Sequence, residues 1–326
     1  MKPTSIIFII VSVLLACVGV LLMVTASNMA DTQGISLFTQ TGDSDNNFTA
    51  SYEIDDENIK KLSIDVSNVT VNVYGNAKQS KIELVNFPEG TFDLTTGKTT
   101  MTLADKTDIS NIVDLDNLKI NFNGFRDYLH YFQYKDKEKT VNVYFSDECS
   151  VTIFSLSTAG DVTLEDLNNN CDYRVKVGKG NVSVTNLTTN SSLTVNSTDD
   201  SNITLNTVEA NDIEINGINA FATMKRLSFS RSLYVKILSG GVDYDAGDFT
   251  GFKLKFQTDS GIITYGSHRI LNDKYEEDLR LNIPDTPDPN KETDSSAIEP
   301  TQPQNSSQVE SDTVTIYVAE GDIKVY

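Results

Sequence analysis

The chain of 326 residues has no tryptophan, only two histidines and only three cysteines. With His130 and His268 alone, a histidine-ligated zinc site or a Ser-His-Asp triad has little to draw on. Basic residues are scarce as well: 26 Lys and Arg stand against 46 Asp and Glu, a formal net charge of −20. That balance argues against a phosphate-binding surface, so no nucleic acid partner is expected, and it opposes lying on anionic lipid. Strong helix formers thin out beyond the N-terminus, while β-branched residues recur in short runs. The expected fold class is therefore all-β, with no cofactor.

One long hydrophobic run is present. Residues 5–26 read SIIFIIVSVLLACVGVLLMVTA without a charge. As a helix rising ~1.5 Å per residue, they span about 30 Å, the thickness of a hydrocarbon core. Lys2 precedes the run and the next charge is Asp31, so the positive-inside rule places residues 1–4 in the cytoplasm and the remainder outside. An uncleaved transmembrane helix is expected, which makes the membrane the first partner. Two readings compete: cleavage after Val24-Thr25-Ala26, and lipidation of Cys17 in Leu14-Leu15-Ala16-Cys17, although the apolar run continues past that cysteine.

Residues 27–58 are polar, lack periodicity and read as a stalk. Period-two alternation then begins at 62–66 and 69–73, with further candidate strands at 81–85, 100–103, 118–122 and 140–145. From about residue 150 the pattern repeats as strand, tight Gly/Asp/Asn/Ser turn, strand. The residue after each turn is Val162, Val182, Ile203, Val242 and Ile262, with a degraded copy beginning at Asp212-Ile213-Glu214-Ile215 in the one wide gap. A sustained period of roughly 20 residues is the mark of a solenoid, in which each copy buries its apolar face only by stacking on the next. The reading is a β-solenoid over 59–283 in a single-stranded layer; a β-sandwich is the alternative that short strands and frequent turns also allow. Residues 284–312 hold most of the seven prolines and few apolar residues, and read as a disordered external loop. Residues 313–326 return to the strand–turn–strand formula and are expected to dock as the final β rung.

Several of these residues carry a resemblance. Val141-Asn142-Val143-Tyr144 leads into recurring turns such as Thr158-Ala159-Gly160-Asp161-Val162, Asp259-Ser260-Gly261-Ile262 and Glu320-Gly321-Asp322-Ile323. Over about residues 55–326 the chain resembles an adhesin-like β-solenoid family of bacterial surface proteins, a group of unknown function that includes LiaG-like membrane-anchored proteins. The resemblance implies a solenoid on the cell surface and offers no catalytic residues to transfer. It also suggests an accessory role in a cell-envelope stress response.

Three candidate sites stand out. Cys149 and Cys171 are separated by close to one repeat, so stacked strands, about 4.8 Å apart, would bring them near disulfide range, the alternative being two free thiols. Phe125, Tyr128, Tyr131, Phe132 and Tyr134 cluster with Arg126 and His130, as a partner-binding aromatic platform or as a cap on the solenoid end. Asp199, Asp200, Asp243, Asp245, Asp248 and Asp322 gather near turns, where a solvated acidic face outweighs calcium binding because no EF-hand or nonapeptide calcium loop is present. Asn-x-Ser/Thr triplets such as those at Asn68 and Asn202 arise by chance in so Asn- and Thr-rich a chain. The expectation is a non-enzymatic surface protein for adhesion, envelope interaction or sensing, whose partner is a cell-wall polymer or another surface protein. A polysaccharide-acting β-helix enzyme is the alternative, to be recognised by a groove with converging Asp, Arg or Lys on one face.

Overall fold

The computed structural model describes residues 49–87, 91–105, 137–247, 249, 251–279 and 312–326. Among them the regular elements are strands, joined into one 18-stranded hydrogen-bonded sheet. The alternation explains why. In β10 (Asp172–Val177), Tyr173, Val175 and Val177 are buried while Arg174 and Lys176 are exposed. A strand with that period cannot hide its apolar side alone, so it stacks.

Stacking is parallel and in register. Tyr173 pairs with Phe154 of β8 (Ile153–Thr158) on one side and Leu193 of β12 (Ser192–Ser197) on the other. A second ladder runs alongside. Val182 of β11 (Val182–Thr188) lies between Val162 of β9 (Val162–Asn168) and Ile203 of β13 (Ser201–Asp245). In register, these strands break at a residue of positive φ: Asp166 at 55° in β9, Asn186 at 53° in β11 and Thr207 at 57° in β13. The register steps over them, and the bend returns Leu167, Leu187 and Val208 to the interior. Asp and Asn tolerate this left-handed conformation; the β-branched Thr207 adopts it at a cost.

The 45 residues of β13 would run about 150 Å if straight. Instead they pair first with β11, then through Asp212–Gly217 with β12, so the degraded copy read in the sequence occupies a layer of its own. Outward side chains repeat the same step as polar ladders. Asn181 donates to Asp161 Oδ1 (2.7 and 3.1 Å) and accepts from Asn202 (3.0 and 3.1 Å).

Both ends depart from chain order. β2 (Lys61–Asp65) and β3 (Thr70–Ala77) come early in the chain, yet they sit between β8 and β9 on one side and β6 (Thr100–Asp105) and β7 (Thr140–Ser146) on the other. Antiparallel strands cover that outer layer: β5 (Phe92–Thr96) on β6, β4 (Lys81–Val85) on β7, and β1 (Thr49–Glu53) on β4. Of the expected stalk over 27–58, residues 27–48 lie outside the described residues, and its end, 49–58, belongs to the domain instead. β1 is paired, Ile54 is buried, and Asp55 caps a turn by accepting the N–H groups of Glu57 and Asn58 at 3.1 Å.

At the other end β18 (Thr313–Val325) is parallel to β13 on one side, and to β14 (Lys253–Ser260) and β15 (Ile262–Tyr265) on the other. The expected final rung is thus the last in sequence but an inner layer in space. Glycine permits the insertion. A Cβ on Gly321 would lie 1.7 Å from the Gly240 oxygen, and one on Gly261 would lie 1.9 Å from the Gly321 oxygen. Antiparallel β16 (His268–Leu271) and β17 (Lys274–Asp278) cap the outer layer. Covering both ends in this way hides open parallel edges that would otherwise recruit another chain. A single buried hydrophobic cluster, aliphatic with some aromatic side chains, runs through all layers from Ile54 to Val325.

Candidate functional site

The outer surface of the second ladder carries a side-chain constellation that the sequence reading did not assemble. Thr-Val-Asn-Val-Tyr occurs twice, at residues 70–74 and 140–144. The fold places the copies on adjacent parallel strands in register, Asn72 against Asn142 and Tyr74 against Tyr144. Their valines point inward and are fully buried, so the asparagines and tyrosines face outward, half-buried. The two tyrosine rings stack with centroids 5.5 Å apart and planes inclined by 28°. Beside them Asn72 Nδ2 donates to Asn142 Oδ1 at 3.0 Å.

Antiparallel β4 closes one side. Lys81 Nζ sits 4.9 Å from the centre of the Tyr144 ring and 2.5 Å from Glu83 Oε1. Burial, and then the Glu83 carboxylate that accepts its hydroxyl, push the Tyr144 phenol above its ordinary pKa. Tyr144 is therefore held neutral, oriented and covered on one face. On the opposite side the register neighbour of Tyr74 is Glu165 of β9, an exposed carboxylate, with Thr163 opposite Asn72. Among the described residues no second ring or cation covers the far face of Tyr74. The signal in the sequence was the duplicated pentapeptide, and only its pairing in space turns it into a site.

The residues singled out from the sequence fare differently. Phe125, Tyr128, Tyr131, Phe132 and Tyr134 lie outside the described residues, as does the hydrophobic segment 5–26. Cys149 and Cys171 are free thiols, the first half-buried and the second fully buried. Of the two readings left open, bond or free thiols, the structure has the free thiols: β10 steps against β8 with Asp172 opposite Ile153, which puts Cys171 level with Thr152 rather than with Cys149. Burial raises both thiol pKa values, most strongly at Cys171, so neither is an activated nucleophile. Among the described residues no three His, Cys, Asp or Glu side chains are grouped to hold a metal ion.

A shallow depression of about 260 Å³ lies on the first ladder, lined by Ser63, Asp65, Ser155, Ser157, Arg174 and Lys176. It forms because serines on β2 and β8 leave room beside longer side chains on β10. Arg174 is already engaged, its Nε donating to Asp172 Oδ2 at 2.8 Å.

No family model matches the chain, and no curated protein matches it. Among solved structures it is similar to a candidate cell adhesion protein from Clostridium sporogenes ATCC 15579, at 12% identity and a TM-score of 0.34, covering 86% of this chain and 98% of that one. It is also similar to a candidate adhesin from Bacteroides fragilis NCTC 9343, at 13% identity and a TM-score of 0.41, covering 87% and 98%. A candidate adhesin from Parabacteroides distasonis ATCC 8503 matches at 7% identity and a TM-score of 0.30, covering 86% and 97%. At such identities and scores nothing about a ligand passes from those proteins to this one.

Proposed function

We propose that the chain is a membrane-anchored β-solenoid displayed outside the cell, and that it binds a cell-wall polymer or another surface molecule without transforming it. The observation that carries this reading is the outward face of the second ladder. There, tyrosines, paired amides and carboxylates stand on hydrogen-bonded strands, where their positions are set by the backbone before any ligand arrives. The solenoid itself is supported by parallel registers recurring at the spacing of the sequence repeat. Anchoring is supported by the uncharged run at 5–26 after Lys2.

Two measurements test the proposal. A tag after Tyr326 in the full-length chain, expressed in a bacterial host, is expected to react with a membrane-impermeant label in intact cells; a protected tag would sink the outer placement. The same cells are expected to be retained on surfaces coated with cell-wall polymer, glycan or protein more strongly than cells lacking the chain. Equal retention on all of them would sink the binding role.

A second reading, action on a polysaccharide, has the depression of Asp65, Arg174 and Lys176 in its favour. Release of new reducing ends from a glycan, abolished by Asp65→Asn, would establish it.

A further inference from the structure

We infer that the face of Tyr74 turned away from Tyr144, against which no ring or cation lies among the described residues, forms the wall of a subsite for one ring of a neutral, pyranose-based oligosaccharide. The inference rests on the binding reading above and names the class of ligand. A sugar ring presents a face of C–H groups and an edge of hydroxyls, so it needs a flat aromatic surface beside planar polar groups that both donate and accept. The second ladder supplies this arrangement around one strand. Tyr74 is held upright by stacking on Tyr144, which Lys81 and Glu83 brace from behind. The next strand carries Thr163 and Glu165 in register with Asn72 and Tyr74, and the strand after it carries Ser183 and Thr185. Glu165, directly beside Tyr74, is exposed and flexible, while Thr163, Ser183 and Thr185 are short and add hydroxyls to the floor. Asn72 spends one amide hydrogen on Asn142, and its carbonyl oxygen remains able to accept from a ligand hydroxyl.

Charge selects among sugars. The carboxylates nearest the subsite are Glu83 and Glu165, its one lysine is paired with Glu83, and the chain carries a formal −20. Uronates and phosphorylated polymers are therefore repelled, whereas a neutral saccharide meets only hydrogen-bonding groups.

The test uses the full-length chain in lipid nanodiscs. It is titrated with cellotetraose, maltotetraose, chitotetraose and, as the charged counterpart, tetragalacturonate. Tyrosine fluorescence serves as the readout because no tryptophan masks it, and ligand-observed NMR serves as a second. At least one neutral tetrasaccharide is expected to bind and tetragalacturonate not to. Tyr74→Ala should weaken binding by about tenfold or more, Tyr74→Phe should keep most of it, and Tyr234→Ala on the first ladder should leave it unchanged. Unaltered thermal melts would show that the variants fold. Binding that survives Tyr74→Ala, or that prefers tetragalacturonate, overturns the inference. Absence of binding to every neutral sugar also overturns it, and the surface-retention measurement then decides whether the broader binding role falls with it.

Discussion

The middle of the stack and its two ends are built from the same layers but threaded differently. Between β8 and β13, a strand's neighbour in space is the one a single repeat away in sequence, so each layer closes a short loop. At the ends, β2 lies against β8 and β18 lies against β13, each across a stretch of chain several repeats long. Loop-closure entropy grows only slowly with length, so the long threading costs little at equilibrium, but it orders folding. The middle can zip locally, whereas the β18 slot closes only when the far end of the chain arrives. Early and late segments of the chain are thus held between two parallel neighbours, instead of fraying as outermost layers would.

Removing residues 312–326 should break this comparison most severely. It strips Val314, Ile316, Val318, Ile323 and Val325 from the core, each buried to within 1% of full and each worth about 1.5–3 kcal/mol of apolar burial. The expected outcome is a Tm lowered by more than about 10 °C, with β14 to β17 becoming the first region open to protease. Near-normal stability would instead mean that β14 and β15 dock directly on β13, erasing the distinction between end and middle.

A smaller loss is expected from Gly180→Ala in the middle of the stack. The new methyl would lie 1.8 Å from the Gly160 oxygen and 2.3 Å from its carbonyl carbon, both backbone atoms that cannot swing aside. A cost of about 2–4 kcal/mol in denaturant unfolding follows. Gly247→Ala, with nothing within 4 Å of the added methyl, should stay within about 0.5 kcal/mol. Similar effects from the two would show that the layers do not approach as closely as the glycine contacts imply.

The smallest expected effect sharpens the picture of the surface. Asn181→Ala removes the central member of the Asp161–Asn181–Asn202 ladder, which is exposed to water. Urea unfolding should report a loss of about 1 kcal/mol or less, with the ligand response of the Tyr74 face unchanged. A loss as large as that of Gly180→Ala would mean the outer ladders, and not the core, hold the layers together.

Legibility followed the threading. Val162, Val182 and Ile203 announced a regular step along the chain, and the structure pairs those three residues directly. The left-handed breaks were half visible, because Asp166 and Asn186 are turn-prone residues one step apart, whereas Thr207 at the equivalent place gives no such hint. Tyr144 lay within the strand read at 140–145, while Tyr74 fell one residue past the strand read at 69–73. Nothing local says that strands so distant in sequence are neighbours, so the site they form was missed. For the cysteines the sequence left bond and free thiols open, and the structure has free thiols. Their spacing looked close to one repeat, but at that layer the step is the shorter one from Ile153 to Asp172, which leaves Cys149 and Cys171 out of register.

By itself, the sequence determined what alternation and composition can determine: an acidic, all-β chain of short strands, with aliphatic residues on one side and Asn, Thr and Ser on the other. That information is local, because side-chain period and turn chemistry act within a few residues. Only the tertiary structure decided the order of the layers at the ends, the inner place of β18 and the meeting of Tyr74 with Tyr144. Each layer offers nearly the same aliphatic edge to its neighbours, so the choice among them rests on long-range packing, such as the glycine contact of Gly240 with Gly321 and the strand caps at either end.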